Sequence, residues 1–232
     1  MWNPTTRVAN IDGDIVAYSC AAVTEDASKA SAAYAAVREM LLNMRETLQL
    51  DDCRIFLSNS SSFRKAIAPS YKANRKDIKK PKWLEHTKDY LLQEWDAEVA
   101  RYGLEADDEL GINQTEDTIL CTIDKDLDQV PGWHYNWRKY EVYSVSEDQA
   151  ERWFWYQMLT GDSVDNIKGV KGIGPKKTAE LLDEIPTEDL GNRVYEIYYM
   201  HDCDEYLANY AQLKILKQEQ LENNYEDAHA RT

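Results

Sequence analysis

The chain has 232 residues, 43% of them apolar, and its 42 Asp and Glu against 27 Lys and Arg leave a net charge of −15. That length allows one large domain or a core with a small module, with enough apolar residues to fill a real interior. No run of eighteen apolar residues exists, which excludes a membrane-spanning helix, and MWNPTTRVANIDGD lacks the basic-then-apolar pattern of a secretory signal.

Cys20, Cys53, Cys121 and Cys203 lie far apart without a CxxC, as expected of reduced thiols in a cytoplasmic protein. The negative charge argues against nucleic acid as a partner only on average. From Arg64 to Lys88 there are nine Lys or Arg and two acids, and from Lys168 to Lys177 there are four Lys and no acid. Two positive patches thus flank an acidic centre.

In chain order, Val8 to Ile11 reads as a strand that ends in Asp12-Gly13-Asp14. Asp12 at its tip can join a metal site, and the glycine permits a tight approach. Asp14 either caps the following segment or joins the same site. Apolar residues spaced over 29–49 predict a helix with one buried face. Cys53 to Leu57 reads as a second strand, followed by the serine loop 58–62. FRKAIAPSYKANRKDIKKPKW, residues 63–83, interleaves cations with Tyr71 and Trp83. Arg64, Lys72, Arg75 and Lys79 can meet phosphates there, and Tyr71 can stack on a base. A solvated basic linker is the plain alternative. A helix is expected between Trp83 and Tyr102.

Residues 104–128 hold nine carboxylates against one base, Lys125, with the apolar strand TILCTI in the middle. That strand would deliver Asp124 and Asp126 at its carboxyl end, where open α/β sheets keep their chemistry. Charges this dense repel unless a cation sits among them, and oxygen ligands suit Mg²⁺ or Mn²⁺. Glu109, Glu116 and Asp117 read instead as solvated surface.

Trp133 to Trp137 and Tyr140 to Val145 read as short strands, and Ser146 with Gln149 as a capping box opening a helix. Trp153, Tyr156, Met158 and Leu159 read as packing residues of that helix. Asp162 and Asp165 share a face if their segment is helical. GVKGIGPKKTAELL, residues 169–182, predicts a glycine-rich turn between two short helices, with Pro175 at a helix start. Such a turn can offer N–H groups to a phosphate or carbonyls to a monovalent cation, and Lys176 and Lys177 add charge. Helical periodicity continues from Pro186 to Leu221, and residues 223–232 are expected to fray.

Six motifs in order carry a resemblance: IDGD at 11–14, FRKAIAPSYKANR at 63–75, EADD at 105–108, IDKDLDQ at 123–129, GDSVDNIKGVKGIG at 161–174 and PKKTAELL after it. The chain resembles the flap endonuclease/5′-nuclease superfamily, especially phage 5′→3′ exonucleases of the T7 gene-6 type, and more distantly the 5′-nuclease domain of bacterial DNA polymerase I. The resemblance implies an α/β fold with a PIN-like, mostly parallel sheet between helices, a basic arch at about 60–95 and a helix–hairpin–helix module. The nuclease core would span 1–160 and the module, with C-terminal helices, 161–232. It also implies metal ligands at Asp12, Glu105, Asp107, Asp108, Asp124, Asp126, Asp162 and Asp165. Arg64, Lys72 and Arg75 would form the arch, with Tyr71 stacking and potassium bound at 169–174, where Gly172 and Gly174 shape the turn. The family carries an Asp in the loop after the second strand. Here residues 57–62 hold none, so one metal ligand is missing or is replaced by a water, by Ser58 or Asn59, or by Asp14 across the site.

The implied chemistry is two-metal hydrolysis of a DNA phosphodiester, leaving a 5′-phosphate. Lys72 would orient the 5′ end. His86, His134, His201 and His229 fit no catalytic motif. Expected substrates are duplex DNA ends, nicks, gaps or 5′ flaps, acted on by a monomer in the cytoplasm. Two rivals remain at this stage: a nuclease for RNA–DNA hybrids or of the small PIN type, and a catalytically weak DNA-end binding accessory protein.

Overall fold

The computed structural model describes residues 2–218, so Leu221 and the expected frayed tail 223–232 lie outside the described residues. Six strands make one sheet: β1 (Val8–Asp12), β2 (Asp52–Leu57), β3 (Glu98–Val99), β4 (Thr118–Cys121), β5 (Gly132–Asn136) and β6 (Glu141–Val145). Their order is β3-β2-β1-β4-β5-β6, parallel throughout except for the antiparallel edge pair β5–β6. The chain leaves β1 toward β2 and later returns on its other side as β4. A switch of this kind opens a crevice between the carboxyl ends of β1 and β4.

Helices cover both faces, which is why the central strands read as nearly continuous apolar runs. On one face α1 (Gly13–Val23), α2 (Ser31–Leu48) and α4 (Leu84–Glu94) pack over Ile11, Ile55, Leu57, Ile119 and Cys121, and the short α3 (Phe63–Ile67) opens the basic segment between β2 and α4. On the other, α5 (Ala106–Asn113) brings Ala106 and Leu110 against Phe56 and Leu120, with Leu127, Val130 and Ile215. The alternation Ile55, Phe56, Leu57 across the two faces is the pleat of the strand.

The segment 13–23 carries no periodic signal because Tyr18 and Val23 are apolar yet exposed, on the side of α1 that the core does not take. The helix expected across 83–102 stops at Glu94. Asp96 adopts a left-handed φ of 50°, and the chain continues as β3 beside β2. The strands expected around the 137–140 turn are present as the β5–β6 hairpin.

A second apolar cluster joins α6 (Glu147–Thr160), α7 (Pro175–Leu182), α8 (Leu190–Met200) and α9 (Tyr206–Leu213) through Phe154, Met158, Ile167, Leu182, Val194 and Leu213. The Ser146–Gln149 capping box opens α6 as expected. Although α6 lies before residue 160, its apolar face belongs to this helical cluster, and Tyr71 from the basic segment enters it as well.

The glycine-rich turn is not entered from a helix. The short antiparallel pair β7 (Gly161–Asp162) and β8 (Ile167–Lys168) precedes it. Gly161 has φ +69°, and the Asp162 carboxylate accepts the Val164 N–H at 2.9 Å, so a side-chain-closed turn replaces the first helical turn.

Gly13 sets how closely α1 approaches β2. A Cβ there would stand 2.6 Å from the Phe56 carbonyl oxygen and 2.8 Å from Ile55 Cγ2. Gly13→Ala is therefore expected to lower the unfolding free energy by about 1–3 kcal/mol. An unchanged midpoint in urea unfolding would show that α1 can lift away freely.

Candidate active site

A cleft of about 530 Å³ opens at the carboxyl ends of β1 and β4, bordered by Asp12, Asp14, Asp107, Asp124, Asp126, Asp162 and Asp165. Each reaches it by a local device. Asp12 ends β1 and caps α1, accepting the Ile15 N–H at 3.1 Å. The Thr122 hydroxyl donates to its other oxygen at 3.0 Å while accepting the Asp124 N–H at 3.0 Å, so β1 and the loop after β4 are pinned together. Asp124 in turn accepts the Asp126 N–H at 2.9 Å, capping the 3₁₀ turn Lys125–Gln129. Gln157 on α6 donates to Asp126 at 2.7 Å. Asp107 comes from the first turn of α5, Asp162 ends β7, and Asp165 stands in the turn between β7 and β8.

Burial and mutual repulsion raise the proton affinity of this set. Burial, with the charges of Asp14 and Asp124 beside it, pushes Asp12 up to about 7. Burial holds Asp107 well above the usual carboxylate range, with Asp12 and Asp124 adding to it. Asp126 is pushed up to about 7 by burial and by Asp124 and Asp162. Asp165 is raised by burial against the pull of Lys72 and Arg75.

Cations already stand among these groups. Lys72 Nζ lies 3.0 Å from Glu105 and 3.5 Å from Asp165, and Arg75 donates to Asp165. Lys88 donates to Asp14 at 2.5 Å. An ammonium held between carboxylates marks a place built to receive positive charge, and the all-oxygen donor set suits a hard divalent ion. Among the described residues, no three His, Cys, Asp or Glu side chains stand close enough together, as placed, to hold an ion.

Several expected roles change in the fold. Arg64 does not face solvent; it is 2% exposed and forms a two-pronged pair with Asp108, both contacts 2.7 Å. It also donates to the carbonyls of Gln212 and Lys214 at 2.8 Å and to Glu105 at 3.4 Å. Arg64 is thus not free for DNA, and Asp108, fully buried and also accepting the Leu216 N–H, is not free for a metal. Glu105 is held by Tyr71, Lys72 and Arg64 beside the main cleft, so its oxygens already have donors. Tyr71 cannot stack on a base: its ring is buried, its hydroxyl donates to Glu105 at 2.7 Å, and Asp165 lies 3.0 Å from the same oxygen. Glu109 is not surface either, since Arg101 grips it through three N–H groups. Glu116 and Asp117 are exposed as expected.

The carboxylate-free serine loop is met by Asp14, whose side chain accepts the Ser58 N–H at 2.9 Å. Asn59 is held away from the site, accepting from Ser61 and donating to the Ala100 carbonyl at 3.1 Å. Lys79 pairs with Glu25 on the surface, away from the aspartates. Gly172, with φ +80°, and Gly174 face open space, and Lys176 and Lys177 are exposed beside them. Thr122, Lys88 and Gln157 had no signal in the sequence, because each acts only through an aspartate far away in the chain.

Two outcomes are expected. Arg64→Ala leaves Asp108 buried without its partner and should cost about 3–5 kcal/mol in denaturant unfolding; a loss of DNA binding at unchanged stability would restore a phosphate role. Between about pH 4 and 7 the folded chain holds protons on Asp12 and Asp126 that the unfolded chain has released. The metal-free protein should therefore lose stability as pH rises through that window. Because metal binding displaces those protons, added Mg²⁺ should raise the melting temperature more at about pH 8 than at about pH 5. A pH-independent shift would argue against carboxylate chelation.

No family model matches the chain. DNA polymerase I of Rhizobium leguminosarum is 34% identical over 180 residues, 67% of this chain and 17% of that protein. The exonuclease of Escherichia phage T7 is 28% identical over 141 residues, 56% of this chain and 47% of that protein. The chain thus spans less than half the length of these curated relatives. Among solved structures, a bacteriophage T5 protein co-crystallised with metal ions superimposes with a TM-score of 0.67 at 17% identity, covering 89% of this chain and 88% of that one. A complex of the T5 flap endonuclease with DNA and metal ions gives 0.63 at 18% identity, covering 89% of each chain. The chain is thus similar to part of a DNA polymerase I and of a phage exonuclease, and it shares the fold of the two T5 structures.

Proposed function

We propose that this chain is a divalent-metal-dependent 5′→3′ exonuclease, with 5′-flap cleavage as a companion activity, that hydrolyses DNA to 5′-phosphate and 3′-hydroxyl ends. The observation that carries the reading is the meeting of Asp12, Asp107, Asp124, Asp126, Asp162 and Asp165, from four separate stretches of chain, on one cleft. Those six would hold two ions, Mg²⁺ or Mn²⁺, with Asp14 covering the side left by the serine loop. Bound there, the ions would lower the pKa of an attacking water and balance charge on the departing oxygen.

The protein's own groups do the rest. Lys72 and Arg75, which now neutralise Glu105 and Asp165, exchange those partners for the phosphates of the substrate's 5′ end. Duplex phosphates away from the cut meet the exposed 169–174 turn, with potassium at its carbonyls, and Lys176 and Lys177. Lys79 adds long-range attraction. On this reading the core and the helical module work as a monomer on duplex ends, nicks, gaps and 5′ flaps, and recognise shape and backbone rather than base edges. RNA–DNA hybrid is a further substrate to compare. An accessory binder would gain from losing the repelling aspartates, and their retention favours a catalyst.

Asp124→Ala and Asp107→Ala should abolish turnover while affecting DNA affinity far less. The comparison needs nucleotide release from 5′-labelled duplex, flap and hybrid in Mg²⁺ or Mn²⁺, alongside binding constants for each variant. Normal single-turnover rates with much weakened binding would sink the assignment. So would tight DNA binding by the unmodified protein with no cleavage in either metal.

A further inference from the structure

The cleft has two flanks, and the sheet order sets them apart. Its strand-end aspartates stand at the carboxyl ends of β1 and β4, which lie in the middle of the order β3-β2-β1-β4-β5-β6. The basic segment leaves from β2, on the outer side of β1, and brings Lys72 and Arg75 to the cleft. On the outer side of β4 runs β5. Cys121 pairs in register with Tyr135, so Arg138, three residues past Tyr135, lies at the same end of the sheet as Asp124, three residues past Cys121. There it borders the cleft, as Lys125 does.

The four cations that border the cleft are not in the same condition. Lys72 and Arg75 face Glu105 and Asp165. Lys125 lays its ammonium over the Trp153 ring, 5.5 Å from the centroid. Arg138 is exposed, and its guanidinium has no ion pair or hydrogen bond among the described residues. Lys65 and Lys76 of the basic segment also have no carboxylate partner among the described residues, but neither borders the cleft. The backbone under Arg138 is fixed. The Asn136 side chain accepts the N–H of Arg138 at 3.1 Å and of Lys139 at 3.2 Å, and Tyr140, with φ +54°, closes the turn. The charges that act on Asp12, Asp107, Asp126 and Asp165 are one another's and those of Lys72, Arg75 and Lys125, not that of Arg138. A guanidinium held on the rim of this site and unused by the protein is a planar fork open to a phosphate.

We propose that Arg138 grips one of the first two phosphates on the 3′ side of the scissile one. The inference rests on the nuclease reading above, which puts the 5′ end of the cut strand at Lys72 and Arg75. A strand held there and crossing the aspartates reaches the β5 flank with its 3′ side. The same side of the cleft is joined to the duplex grip. Trp153, under Lys125, stacks on Tyr156 at 6.2 Å, and the Tyr156 hydroxyl donates to the Pro175 carbonyl at the start of α7, next to the exposed Lys176 and Lys177. Arg138 on one flank and Lys72 with Arg75 on the other would hold the strand on both sides of the cut, which fixes the phosphodiester between the aspartates.

A duplex with a short 5′ flap tests this, its cleavage position read from product length in Mg²⁺ and its affinity measured at equilibrium in Ca²⁺. Arg138→Ala should weaken binding about tenfold and lower the salt slope by about one, at an unchanged melting temperature. Arg138→Lys, which keeps the charge, should restore the slope. Uncharged methylphosphonates placed at single phosphates then locate the contact. At one of the first two positions 3′ of the cut, the replacement should cost the unmodified protein about tenfold and cost Arg138→Ala little more. Within the flap it should cost both proteins alike. Full affinity of Arg138→Ala, equal costs in both proteins at every position, or a cost spared by Arg138→Ala only within the flap would overturn the proposal. If the unmodified protein neither binds nor cuts the flap, the nuclease reading falls as well. If it cuts the flap and any of those three results is found, the Arg138 contact alone fails.

Discussion

Seven aspartates are forced together at one end of a parallel sheet, and the surrounding structure is arranged to tolerate that repulsion. Burial alone would leave the set protonated, and the raised proton affinities of Asp12, Asp107 and Asp126 are the sign of it. Lys72, Arg75 and Lys88 supply the missing positive charge within hydrogen-bonding reach. On the proposed reading, a divalent ion would take the place of these lysines and the arginine, which would then be free for phosphate.

Not every acid in the same stretch belongs to that set. Asp108, one residue from Asp107, faces Arg64, and Glu109 faces Arg101. Neighbours on a helix point about 100° apart, so α5 presents one carboxylate to the cleft and its neighbours to buried cations. The Arg64–Asp108 pair has a mechanical consequence. Through the carbonyls of Gln212 and Lys214 and the N–H of Leu216, it ties the start of the basic segment, α5 and the chain after α9 into one knot. The basic segment is therefore anchored at its base. Further along, it docks on the Asp162–Asn166 turn, where the Lys72 N–H donates to the Asp165 carbonyl at 2.8 Å.

The cleft lies where the sheet and the helical cluster meet. Asp12, Asp107 and Asp124 come from the sheet side, Asp162 and Asp165 from the turn leading into the helical cluster, and Gln157 on α6 steadies Asp126 from that cluster. Sites between two packed units are common because side chains from both can converge there. The seating of Tyr71 inside the helical core fits the same arrangement. It makes the basic segment a strap between the two units, with its hydroxyl joining Glu105 of one to Asp165 of the other.

Much of this was legible in the sequence. The strands around TILCTI and Cys53–Leu57, the helix over 29–49, the Ser146 cap and the aspartates at strand ends all follow from local periodicity and capping chemistry, which neighbours in the chain decide. The closeness implied by Gly13 was legible for the same reason. What the tertiary structure alone decided was which charges meet. Arg64 and Tyr71 sit among cations and aromatics that look solvent-ready, yet their partners are residues more than thirty positions away. The same holds for Lys88 with Asp14, and for the unpaired Arg138 beside the cleft. A cation's sequence neighbourhood sets the local charge density, but pairing depends on which oxygens the fold brings within about 3 Å, and that distance has no counterpart along the chain.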